Sequence, residues 1–100
     1  MEMSEEEIKI LDGYSWGDSI NIIQKYWNTD YGTCELCKEK DKETLELTTG
    51  GWSENEEILK QLIETYFWFF WWQESKRGGY YKFVYTKETE EFYRSLREEE

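Results

Sequence analysis

Six aromatic residues in succession, Phe67-Trp68-Phe69-Phe70-Trp71-Trp72, constrain this chain more than any other feature. With Tyr66 the run is seven residues, far short of the ~18–20 a membrane-crossing helix requires. Rings of this size bury about 150–250 Å² each and must find a core. Aromatic composition favours a strand, and a run without a polar member reads as a central strand covered on both faces. The sequence therefore predicts a strand over Phe67–Trp72, bounded by Gln73-Glu74.

The residues on either side extend the pattern. Thr44-Leu45-Glu46-Leu47-Thr48-Thr49 alternates with period two, as a half-buried strand does, and stops at Gly50-Gly51. Ser53 and Glu56 have the spacing of a capping box, and Glu54, Glu56 and Glu57 place acid at the positive end of the helix that follows. Ile58, Leu59, Leu62, Ile63 and Tyr66 make its apolar stripe. Lys76-Arg77-Gly78-Gly79 turns the chain into a second hairpin strand, Tyr80 to Tyr85.

Ahead of this, Ser4 and Glu7 form a capping-box pattern. A second helix is expected over residues 18–27, capped by Asp18 or Ser19, with Ile20, Ile22, Ile23, Tyr26 and Trp27 on its buried face. The alternating charges from Lys38 to Glu43 read as a solvated loop or hairpin flank. After the hairpin, Phe92, Tyr93 and Leu96 give helical spacing, and Glu98-Glu99-Glu100 is expected to fray. The chain reads as one domain spanning residues 1–100. Within it lie a helical N-terminal region over residues 1–33, a strand-helix-hairpin core over 44–85 and a C-terminal helix over 87–100. The fold class is α+β, a small sheet with a β-α-β-β core and helices packed on it.

Charge and residue inventory narrow the function. Twenty-three acidic against 12 basic residues leave a net charge of −11, which opposes direct nucleic-acid binding and docking on an anionic membrane. It suits a basic protein surface. There is no histidine, hence no common general base or Ser/Cys triad, and no catalytic residue is assigned. Cys34-x-x-Cys37 supplies two of the four ligands a structural zinc needs, so neither metal nor cofactor is expected. The acidic start, Met1-Glu2-Met3-Ser4-Glu5-Glu6-Glu7, lacks the pattern of a signal peptide, and two unpaired thiols fit a reducing compartment.

Two surfaces carry the functional expectation. A partner-binding patch would use Trp52, Glu54, Glu56, Glu57, Arg77 and Tyr80, combining acid with the aromatic and arginine anchors typical of hot spots. Alternatively, Gly50, Gly51 and Ser53 would offer backbone N–H groups to an anion, with Lys76 and Arg77 adding charge, as in a small-ligand or nucleotide module. A homo-oligomeric structural protein, such as a homodimer, is the third reading of the surplus rings.

Thr49-Gly50-Gly51-Trp52-Ser53, then Asn55-Glu56-Glu57-Ile58, the tryptophan-rich stretch and Arg77-Gly78-Gly79-x-Tyr81-x-Phe83 together resemble a family of small, uncharacterised phage-encoded proteins. That pattern has two arginines before the glycine pair, and here Lys76 stands in the first place. The resemblance implies a phage protein acting in the cytoplasm of an infected host, an inhibitor or adaptor of a host or defence protein. It carries over no catalytic residue.

Overall fold

The computed structural model describes residues 2–98, with the side chains of Arg97 and Glu98 left aside. Glu99 and Glu100, where fraying was expected, lie outside the described residues. The fold is α+β. Its elements in order are α1 (Glu5–Leu11), α2 (Trp16–Tyr26), β1 (Thr33–Lys38), β2 (Lys42–Thr48), α3 (Ser53–Ile63), α4 (Tyr66–Trp71), β3 (Trp72–Lys76), β4 (Tyr80–Thr86) and α5 (Lys87–Glu98). The sheet order is β1-β2-β4-β3, and every neighbouring pair is antiparallel. The expected β-α-β-β core is present, with β4 inserted between β2 and β3 and with β1 and α4 added.

The capping box of α1 forms as the spacing predicts: Ser4 Oγ accepts from Glu7 N–H at 3.2 Å, and Glu7 Oε1 accepts from Ser4 N–H at 2.8 Å. Glu7 also accepts from the Tyr26 hydroxyl at 2.6 Å and from Lys25 Nζ at 3.1 Å, which ties α1 to α2. Helix α2 starts earlier than expected. Its N-cap is Ser15, whose hydroxyl donates to Asp18 Oδ2 at 2.8 Å, so neither Asp18 nor Ser19 caps it. The two extra residues bring Trp16 inside, stacked on Phe67 and Tyr85, with its indole N–H donating to Glu43 at 3.1 Å.

The charge run is the tip of a hairpin, and Cys34 to Cys37 lies in a strand. β1 pairs with β2 from Thr33↔Thr48 to Lys38↔Glu43, and the turn closes where Glu39 N–H donates to Lys42 O at 2.8 Å. Cys34 and Leu36 pack against the core while Thr33, Glu35 and Cys37 stay exposed. That is a period-two pattern, concealed in the sequence because only Leu36 is strongly apolar.

The aromatic run is a helix. Tyr66–Trp71 forms α4, and the strand begins only at Trp72. Phe67 and Trp71, four residues apart, are both buried, whereas Phe69 between them is 66% exposed. A strand would have put Phe67, Phe69 and Trp71 on one face. β-propensity measures fit to a half-buried pleated surface, and tertiary packing overrides it here. Six residues are too few for an independent helix; α4 exists because Phe67 packs on Phe83 of β4 at 5.1 Å and because Asp12 accepts from the N–H of Tyr66 at 3.0 Å.

The inward side of the sheet, Leu45, Leu47 and Phe83 with Tyr81 and Tyr85 beside them, meets Ile20, Ile23, Ile58, Leu59, Leu62, Phe67 and Trp71 from the helices. Ile63 and Tyr66, expected on the α3 stripe, are 50% and 56% exposed, because α3 ends at Ile63 and the chain turns through Glu64 and Thr65. Across the opposite side of the sheet, Glu35, Glu46, Lys82 and Glu74 form one row in register.

Candidate functional site

The two glycine turns meet. Thr48 pairs with Tyr80, and one residue on, Thr49 N–H donates to Gly79 O at 3.0 Å. The approach is close: a Cβ on Gly79 would sit 2.3 Å from Thr49 Oγ1, and one on Gly50 (φ +62) would sit 1.9 Å from Tyr31 O. Asn55, fully buried, secures the joint. Its Oδ1 accepts from Asn28 N–H at 2.7 Å, and its Nδ2 donates to Asn28 O at 2.9 Å and to Thr49 O at 3.3 Å.

Two of the backbone donors at this turn are engaged within the fold. Gly51 N–H is engaged by Thr49 Oγ1 at 3.2 Å, and Trp52 N–H by Thr49 O at 3.1 Å. The N-cap of α3 is Trp52, not Ser53, and it makes no side-chain cap bond. The predicted Ser53–Glu56 box does not form, because Glu56 N–H donates to Trp52 O and starts the helix one residue sooner. Ser53, Glu54, Glu56 and Glu57 are exposed on α3, and Gly50 and Gly51 are exposed at the turn. Lys76 lies over the Tyr80 ring at 5.1 Å, and Arg77 is exposed at the hairpin tip.

Trp52 and Tyr80 are half-buried, and each ring has a neighbour over one face, Tyr31 for Trp52 and Lys76 for Tyr80. Trp52 stacks on exposed Tyr31 at 4.3 Å, and its indole Nε1 is buried with no partner. The Tyr80 hydroxyl donates to Glu46, and that carboxylate pushes its pKa up to about 12. The corner brings Trp52 and the α3 acids to the same end of the sheet as Arg77 and Tyr80.

The thiols do not form a redox pair. Residues three apart on a strand point to opposite sides; Cys34 is half-buried, with burial pushing its thiol up to about 11, and Cys37 is exposed. Among the described residues no cluster of three or more His, Cys, Asp or Glu is placed to hold a metal ion. At the other end of the sheet a shallow cleft of about 650 Å³ is lined by Lys40, Lys42 and Lys87 together with Glu39, Asp41, Glu43 and Glu88. Its four carboxylates outnumber its three lysines by one.

The surplus of rings lies elsewhere, on a face formed by α4 and α5. Tyr66 is 56% exposed, Phe69 66%, Phe92 58% and Leu96 49%. The three rings join through half-buried Phe70 and Tyr93: Tyr66 meets Phe70 at 5.7 Å, Phe69 meets Tyr93 at 6.0 Å, Phe70 meets Tyr93 at 4.7 Å, and Phe92 meets Tyr93 at 5.4 Å, with Leu96 one turn further along α5. Exposed Lys87, Glu88 and Glu91 lie on α5, and exposed Glu64, the C-cap of α3, lies two residues ahead of α4. Arg94 on α5 is already engaged, by Glu90 at 3.1 Å and by the Tyr14 ring at 5.1 Å. Of the rings of α4, Phe67 and Trp71 are buried and Trp68 and Phe70 are half-buried against the core, which leaves Tyr66 and Phe69 outward. The spacing of Phe92 and Leu96 was the sequence signal that a strand reading of Phe67–Trp72 obscured.

Three of the six indoles, Trp16, Trp27 and Trp71, are buried; Trp52 and Trp68 are half-buried, and Trp72 is 44% exposed. Among the described residues no helix is long and apolar enough to cross a membrane. No protein-family model, curated protein or solved structure matches the chain.

Proposed function

We propose that this chain is an acidic protein-binding module, an inhibitor or adaptor with no catalytic chemistry of its own. It engages a partner with a basic surface through the aromatic face of α4 and α5. The observation that carries this reading is the exposure of Tyr66, Phe69 and Phe92, joined by ring contacts through Phe70 and Tyr93. Isolated apolar residues at a surface are ordinary, but a joined aromatic patch with a polar rim is the mark of an interface. The net charge of −11 supplies the complementarity to a basic partner. The phage resemblance suits a host or defence protein in the cytoplasm of the infected cell. The glycine corner serves as the joint that holds α3 on the sheet, since its N–H groups at Gly51 and Trp52 are engaged within the fold.

Site-specific photo-crosslinking in a lysate of the cells that make the protein tests the reading. A photoreactive residue at position 69 should yield a protein adduct that weakens as salt rises from ~0.05 to ~0.5 M. The same residue at position 35, on the opposite side of the sheet, should yield none. Equal adducts from both positions, or adducts with nucleic acid alone, would overturn it.

A further inference from the structure

We infer that the outer edge of β1 accepts an extended segment of a partner protein, with a lysine or arginine of that segment set beside Glu35. This surface is separate from the aromatic face: β1 and β3 are the two ends of the sheet, and α4 leads into β3.

Backbone geometry is the first argument. Glu39 N–H donates to Lys42 O, and Thr33 N–H donates to Thr48 Oγ1 at 2.9 Å. Hydrogen-bonded positions alternate along an antiparallel pair, so Thr33, Glu35, Cys37 and Glu39 turn their backbone groups toward β2. Those of Cys34, Leu36 and Lys38 turn away from it and repeat about every 6.8 Å. No strand lies on that side. An extended backbone is what matches such a row of donors and acceptors.

The two edges of the sheet also differ. β3 is five residues long, and its register against β4 shifts between Trp72 and Glu74, an irregularity that blunts an edge. β1 keeps an unbroken register over six residues, and the chain has no proline to interrupt it.

Charge selects the occupant. Glu35 and Glu46 lie directly opposite one another, a like-charge pairing that destabilises a sheet. Glu46 accepts from the Tyr80 hydroxyl and has Lys82 next in the row, and Lys82 in turn meets Glu74 at 3.8 Å. Glu35 is exposed at the open edge, in no ion pair among the described residues. Lys38, the other charge of β1, stands in register with Glu43. A cation on an added strand relieves Glu35, with uncharged residues of that strand beside half-buried Cys34 and Leu36. A second copy of the edge would bring another Glu35 and another net charge of −11.

The probes are a seven-residue peptide of alternating valine and threonine with lysine at its centre, its counterpart with central glutamate, and a fully N-methylated form of the lysine peptide. Hydrogen exchange read by NMR should find the amides of Cys34, Leu36 and Lys38 exchanging faster than those of Glu35 and Cys37 in the free protein. The lysine peptide should slow the three fast amides by about tenfold or more. The glutamate peptide should bind about tenfold more weakly at low salt, and Glu35→Lys should reverse that preference. Such a reversal also establishes that the variant folds. N-methylation removes the donors of the added strand and should abolish the protection. A photoreactive residue at position 35 takes the place of the carboxylate this edge depends on, which keeps that position silent in the lysate. No protection by the lysine peptide, equal binding of its N-methylated form, indifference to the charge at position 35, or protection confined to β3 would overturn the inference. Protection that appears on concentrating the protein alone would overturn it too, by assigning the edge to a second copy.

Discussion

Asn55 shows how much one buried side chain can govern. It bonds three backbone groups from two other segments, at the end of α2 and the end of β2. Asn55→Ala leaves these groups buried without partners, and the expected loss is about 2–4 kcal/mol. Urea unfolding should show a lower midpoint at unchanged slope. Glu7 adds a pH signature. The Tyr26 hydroxyl, then the Ser4 N–H, with help from Lys25, hold its carboxyl down from 4.5 to about 2. Because the folded value is depressed, the stability it contributes is fully present above the unfolded value and is lost as pH falls through the folded one. The stability gap between wild type and Glu7→Gln should therefore be full above pH 4.5 and close as the pH approaches about 2. A gap that persisted at the acid end would show that the Glu7 contact does not act through its charge.

At the scale of elements, α4 is the segment whose sequence and structure diverge most. Its residues prefer strand, yet it is a helix whose Phe67 and Trp71 close the core while Phe69 faces water. Two substitutions within one helical turn separate these roles. Trp71→Ala should cost about 3–5 kcal/mol through lost burial and a cavity. Phe69→Ser should change stability by no more than about 0.5 kcal/mol, with its effect confined to partner binding. A strand over the same residues would make the two changes comparable, since positions 69 and 71 would share a side. The hairpin β1–β2 diverged for the opposite reason. Its alternation is real, but exposed Lys38 to Lys42 at the tip and a lone Leu36 leave too little apolar contrast to recognise.

For the molecule as a whole, electrostatics set the expectation. Three ion pairs occur among the described residues, against a net charge of −11. Self-repulsion among uncompensated carboxylates should therefore limit stability at low ionic strength. The melting temperature should rise as sodium chloride increases from ~0.01 to ~0.5 M. A fall over that range would mean that specific ion pairs outweigh the general repulsion.

The α+β class, the α1 cap, the strand ending at the double glycine, the basic hairpin turn and the buried Ile58-Leu59-Leu62 stripe were legible from residue order, because each depends on spacing between near neighbours. That the two glycine turns would meet was legible only as a condition, which the pairing of β2 with β4 met through Thr49 and Gly79. The destiny of the aromatic run was not legible at all. Whether a ring lies inside or outside depends on what arrives from elsewhere in the chain: Phe83 and Asp12 draw six residues into a helix, and that helix can bury only some of its rings. Local order specified most of the pieces, and long-range packing decided what the aromatic run became and which of its side chains stayed exposed.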